Sequence, residues 1–183
     1  IDGAWTQIPV IALAVVCFAS SQWLGGSGFI ACFVGGLVFG GLIREQKQPL
    51  LKAADGTGDV LSMITWFIFG ALFIGDCLLQ PEWQAILYAI LSLSVVRMVP
   101  VFLAVAGMGL QTDSKLFMGW FGPRGLASIV FIVMVNEANL PGSKTLVQAV
   151  TWTVLLSVIL HGITANPLAS VYANRVKARG DKV

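Results

Sequence analysis

Six continuous apolar stretches, at residues 8–24, 27–43, 60–79, 84–107, 115–136 and 147–171, constrain this chain more than any other feature. A helix that crosses the hydrocarbon core of a bilayer needs about 20 apolar residues, within a range of roughly 17–25, and each stretch meets that requirement. The runs are apolar throughout rather than alternating, and they exceed a barrel strand in length, so the spanning elements are helices. Only 11% of the residues are charged and 57% are hydrophobic, against about 25% charged in a soluble domain. Such a chain cannot cover a water-facing surface. That excludes the soluble globular, disordered and nucleic-acid-binding classes. The expected fold is all-α, a polytopic membrane protein of about six transmembrane helices whose partner is the lipid bilayer and not a nucleic acid.

Polar punctuation separates the stretches. Gly25-Gly26-Ser27-Gly28 makes a tight turn, residues 44–58 with Pro49 read as one long polar loop, and Gln80-Pro81-Glu82, residues 107–114 and Asn139-Leu140-Pro141-Gly142 mark the remaining connections. With the N-terminus inside, the inner segments hold Arg44, Lys47, Lys52, Lys115, Arg175, Lys177, Arg179 and Lys182, while the outer loops hold Lys144. This positive-inside bias places both ends of the segment in the cytoplasm. Trp23, Trp83 and Trp152 fall near outer span ends as an aromatic belt would; Trp66 and Trp120 sit nearer inner ends, and Trp5 just before the first span. The six spans divide into two triplets, at residues 1–80 and 81–173, followed by a basic cytoplasmic tail at 174–183. Transporters are often built from three-helix units repeated in inverted topology, with one helix broken near the midplane. The obvious break lies in the second triplet, at 115–136, which is therefore read as the second inverted repeat.

That break is carried by Gly119-Trp120-Phe121-Gly122-Pro123-Arg124-Gly125-Leu126-Ala127-Ser128. Pro123 removes a backbone donor, and Gly122 and Gly125 remove steric protection, so an undisturbed helix cannot continue. In hydrocarbon, freed backbone groups persist only where protein or a wet cavity satisfies them. The stretch is thus expected to form two half-helices meeting at an interior crossover. Arg124 lies about 13 Å along a helix from Lys115 at 1.5 Å per residue, near mid-depth. A central arginine costs about 2.5–3.5 kcal/mol on insertion scales, so it needs a partner. It reads either as tied to carbonyls in a kinked helix or as a fixed charge lining or bracing a cation or proton site. Arg97, with Pro100 close behind it, is the second arginine near mid-depth, and it either supports such a site or snorkels toward the inner face.

All nine acids fall outside the membrane centre, Asp76 being nearest. The two arginines therefore either bind an anion or find partners on helices outside this chain. His161 lies mid-span, where a proton relay is one reading and a hydrogen-bonded packing residue the more ordinary one. Ser157, Thr164 and Asn166 are expected to cross-link helices. Gly36 and Gly40, beside Gly35 and Gly41, form a small-residue seam for packing within the chain or for a homodimer. Cys17, Cys32 and Cys77 are odd in number and scattered, with no disulfide or metal-ligand spacing, and read as packing residues. The chain starts Ile1-Asp2-Gly3, with no Met and no basic region of a signal peptide, and is expected to be the C-terminal piece of a longer protein.

Residues 119–128 resemble the broken-helix signature of the sodium/proton exchanger family, the NhaP-like monovalent cation:proton antiporters. Leu24-Gly25-Gly26-Ser27-Gly28-Phe29, Phe33-Val34-Gly35-Gly36-Leu37-Val38-Phe39-Gly40, Trp66-Phe67-Ile68-Phe69-Gly70 and Leu160-His161-Gly162-Ile163-Thr164 also fit, in the right order. The resemblance implies the C-terminal half of a thirteen-helix antiporter of the bacterial inner membrane. It would be a homodimer serving pH homeostasis by exchanging Na⁺ or K⁺ for protons through alternating access. Residues 1–80 would then be scaffold or dimerisation helices, and 81–173 half of the transporting core. Arg124 matches the arginine that pairs with a glutamate on the other broken helix, Arg97 matches an arginine on the preceding helix, and Gly122, Pro123, Gly125 and Ser128 complete the crossover. The family's cation-binding aspartate sits in an Asn-Asp motif that this chain lacks, so it is expected on the missing N-terminal half. The resemblance implies no enzymatic reaction, no resident metal and no cofactor beyond the transported ions. Two other readings stay open at this point: an anion-attracting carrier or channel, and a non-transporting membrane assembly subunit.

Overall fold

A computed structural model describes residues 8–43, 47–122, 125–138 and 140–180, and of residues 47–53 the backbone only. All regular structure among the described residues is helical: α1 (Ile8–Trp23), α2 (Gly28–Leu42), α3 (Lys47–Phe69), a π-helical turn (Gly70–Ile74), α4 (Gly75–Leu79), α5 (Trp83–Leu93), α6 (Val95–Ala104), α7 (Thr112–Trp120), α8 (Leu126–Glu137) and α9 (Ser143–Ala178). Three continuous helical runs are long and apolar enough to cross a membrane, namely Ala54–Leu79, Trp83–Ala104 and Ser143–Ala178. The other three apolar stretches hold the shorter helices α1, α2 and α8, of 16, 15 and 12 residues.

Two elements differ from the sequence reading. Residues 44–58 were expected to form a loop, yet α3 begins at Lys47. Pro49 falls in its first turn, where a missing N–H breaks no helical bond. Gly56 and Gly58 each weaken a helix by only about 1 kcal/mol relative to Ala. In the fourth stretch the irregularity falls at Ser94, between α5 and α6, while Pro100 sits within α6. The Ser94 hydroxyl donates to the Ile90 carbonyl at 2.6 Å, a back-bond that bends helices.

The chain forms two compact units, residues 1–64 and 65–183, and the division falls inside α3. In the first, α1 packs on α2 after a turn in which Gly25 takes φ +77°. Ser27 caps α2 by accepting from the Ile30 N–H. The Cys32 thiol donates to the Ala14 carbonyl at 3.3 Å, and Phe18 meets Phe29 edge-on. In the second unit the long helix α9 is the spine, contacted by α5, α8, α7 and the π turn. On α5, Ala85, Ala89 and Ser92 are buried, and such small side chains let helices approach closely. Phe69, Phe73, Ile129, Ile132 and Val154 form the core. At its edge Cys77 is buried, its thiol donating to Gln148 Oε1 at 3.0 Å.

Candidate functional site

The fifth stretch is broken as expected. α7 ends at Trp120, α8 starts at Leu126, and the segment between them is not helical where described. Pro123 and Arg124 lie outside the described residues, as do Trp5, Arg44 and Lys182. A helix that stops inside an apolar environment leaves carbonyls without intrahelical donors, and in lipid each must find one within the protein. Here the donors are cationic side chains or histidine. Arg97, half-buried on α6, donates from Nε to the Gly119 carbonyl at 2.9 Å and from Nη1 to the Gly122 carbonyl. His161 of α9 holds the carbonyl between them, Nε2 lying 2.8 Å from Trp120 O. The positive Arg97 guanidinium at this end also opposes the negative pole of the α7 dipole.

Close approach explains Gly122 more strictly than backbone freedom does. A Cβ built there would collide with the Arg97 guanidinium. Gly119 is buried where Gly122 is half-buried, yet its Cβ would meet Met98 at 3.7 Å, an ordinary contact. Gly125 precedes α8 in an extended conformation, and its carbonyl accepts from the Ser128 N–H at 3.0 Å. Ser128 thus sits in the first turn of α8, where it lines a cavity of about 200 Å³ together with Ile132 and Val150.

A ladder of contacts runs down α7 and α9 from this point. The Trp120 Nε1–H donates to Thr164 Oγ1 at 2.9 Å, Phe117 stacks on Tyr172 at 4.6 Å, and Ser114 Oγ lies 3.1 Å from the Tyr172 hydroxyl. The last rung is an ion pair in which Arg179 donates to both oxygens of Asp113, at 3.1 and 2.6 Å. The Arg179 guanidinium beside Asp113 holds its carboxyl below the usual carboxylate range, against a smaller opposing effect of burial, and the Ser114 N–H helps. A cavity of about 300 Å³ lies beside the ladder, reaching from Trp120 and Phe121 to Asp113 and Arg175.

The structure therefore brings together Arg97 and Gly122 of the expected site. It adds His161, which stood out in the sequence as the one titratable side chain in its span, and Trp120, which the sequence showed as part of the break. Thr164 cross-links helices as expected. Asn166 is exposed. Gly36 faces open space, its Cβ meeting nothing within 4 Å, whereas Gly35 is the residue set against α1, its Cβ position 2.9 Å from Cys17 Sγ. Among the described residues no group of His, Cys, Asp and Glu side chains could hold a metal ion.

Apolar helices of spanning length mark an integral membrane protein. The family model for the transmembrane sodium/hydrogen exchanger matches residues 2–171, and the chain belongs to that family. It is 26% identical over 169 residues to the K(+)/H(+) antiporter NhaP2 of Shewanella sp. (strain ANA-3), covering 90% of this chain and 29% of that protein. It is 22% identical over 166 residues to the K(+)/H(+) antiporter NhaP of Alkalimonas amylolytica, with 91% and 29% covered. To the Na(+)/H(+) antiporter NhaH of Halobacillus dabanensis it is 27% identical over 169 residues, with 86% and 41% covered. The chain thus spans well under half the length of these curated relatives. No solved structure matches it significantly.

Proposed function

We propose that this chain forms part of the transporting core of a bacterial inner-membrane antiporter that exchanges Na⁺ or K⁺ for protons by alternating access. The observation that carries this reading is the α7–α8 crossover, with the carbonyls of Gly119 and Gly122 held by Arg97. A broken helix fixed in this way is a rigid edge against which a binding site can be built. The carboxylate at which proton and cation compete would lie outside these 183 residues, since their acids fall away from the membrane centre. Arg124 would pair with an acid there, with Pro123, Gly125 and Ser128 shaping its surroundings. Arg97 acts by ordering the backbone, not by touching the ion. Its engagement with carbonyls argues against the anion-carrier reading, which needs that guanidinium as a ligand. The protein would work as a homodimer, with Gly36 and Gly40 on the α2 face as its seam and both ends of the segment in the cytoplasm.

The test is dye-monitored proton exchange in everted vesicles bearing the full-length protein, with Na⁺ and K⁺ added in turn. Arg97→Ala and Arg124→Ala are each expected to abolish exchange at normal expression. Undiminished exchange in both variants would overturn the assignment of this crossover to the transporting core. Chloride-dependent flux without a cation requirement would favour the anion carrier instead.

A further inference from the structure

The threonines of α9 are not equivalent. Thr153 donates to the Ala149 carbonyl and Thr164 to the Leu160 carbonyl, each at 2.7 Å. This is the back-bond by which a hydroxyl inside a helix satisfies itself. Thr151 makes no such bond. It is 0% exposed, and its Oγ1 finds no hydrogen-bond partner among the described residues. A buried hydroxyl without a partner is costly, and bound water is a common remedy.

Thr151 lines a cavity of about 430 Å³ where α4, α8 and the first turns of α9 meet. Asp76, Asn136 and Lys144 also line it, and all three are exposed, so they stand at its mouth. Cys77 and Gln148 are buried in its wall and engaged already. The thiol donates to Gln148 Oε1 at 3.0 Å, and the Gln148 amide donates to the Gln80 carbonyl at 3.2 Å. The Thr151 hydroxyl is thus the buried group of the lining with bonding capacity to spare. Charges of both signs at the mouth give no net attraction to an ion of either sign. A polar space of this size suits water, which takes about 30 Å³ per molecule and makes roughly two to four hydrogen bonds.

We propose that this cavity is a hydration site whose innermost water hydrogen-bonds Thr151 Oγ1. Thr151 lies eight residues beyond Ser143, where α9 starts, about 12 Å along the helix at 1.5 Å per residue. Solvent would enter that far into an otherwise apolar bundle, from the end that carries the connections at 80–82 and 140–142. Water held there would also join α9 to α4 and α8, since bridging water binds nearly as well as a direct hydrogen bond. The hydration site does not depend on the antiporter reading.

The experiment is radiolytic hydroxyl-radical footprinting of the full-length protein in lipid nanodiscs, in which radicals formed from water oxidise the side chains beside it. Phe73 lines the cavity, whereas Phe69, buried in the same core, does not. Phe73 is expected to oxidise several-fold faster than Phe69. Thermal unfolding then tests the hydroxyl itself. Thr151→Val keeps the shape and removes the oxygen, and it should lower the melting temperature, while Thr151→Ser should not. A Thr151→Val protein that fails to fold where Thr151→Ser folds counts as the same loss. Equal oxidation of the two phenylalanines would overturn the hydration site. So would a Thr151→Val protein as stable as the unsubstituted one or more so, because removing a dry, unpaired hydroxyl carries no penalty.

Discussion

At Gly122 even a methyl group would occupy space that the Arg97 guanidinium fills. Gly122→Ala is therefore expected to push the flexible end of Arg97 aside and release the carbonyls it holds, at a cost of about 1–3 kcal/mol for the charge-assisted bonds lost. Gly119→Ala is the matched control. Its Cβ would meet Met98 at 3.7 Å, and a glycine inside a helix costs roughly 0.5–1 kcal/mol relative to alanine, so it should be neutral or stabilising. Thermal unfolding in detergent separates the two; equal losses would mean that the Arg97 contact is not what makes Gly122 necessary. At this scale the sequence was half legible. It identified Arg97 as a mid-depth charge in need of a partner, and it pointed to acids or anions. The partners of Arg97 include the backbone carbonyls of Gly119 and Gly122, a kind of partner the sequence reading raised for Arg124 and not for Arg97.

Between elements, the rungs joining α7 to α9 decide how firmly the half-helix is fixed. Removing the Trp120 donor in Trp120→Phe, the hydroxyl in Thr164→Val, or both, gives a double-mutant cycle for the 2.9 Å bond. A coupling of about 0.6–1.7 kcal/mol is expected, the range found for polar contacts between membrane helices; additive effects would show that the bond contributes nothing. The lower rung makes a pH-dependent prediction. Because Arg179 lowers the Asp113 carboxyl in the folded state, the pair stabilises above the unfolded value and that stability is lost as pH falls. The melting temperature of the unsubstituted protein should exceed that of Asp113→Asn modestly at pH 7, and the gap should close below about pH 4. A gap that widened on acidification would contradict the ion pair. The break itself was readable from Gly122-Pro123-Arg124-Gly125, since those residue types cannot sustain a helix. The early start of α3 and the π turn at Gly70–Ile74 were not, because helix continuation across Gly and Pro depends on neighbours that local composition does not reveal.

For the whole molecule, the family match runs over residues 2–171, and the chain covers 29–41% of the length of these relatives. Low charge and long apolar runs made the membrane class legible from composition, whereas three of the six stretches form helices shorter than a bilayer crossing. Gly36→Ile should leave the fold of the first unit intact, because its Cβ faces open space. It should also lower the dimer fraction in cross-linking of native membranes; an unchanged fraction would place the seam elsewhere.

The capped end of α7 also bears on insulation. A membrane at 100 mV places about 2.3 kcal/mol on each charge that crosses it, and naked carbonyls deep in a helix bundle would give water and hydronium a foothold. With Gly119, Trp120 and Gly122 all engaged by Arg97 and His161, that foothold is already taken, and fixed positive charge repels passing protons, as it does in water channels. The same contacts that hold the helix in place would thus keep the voltage from draining through it.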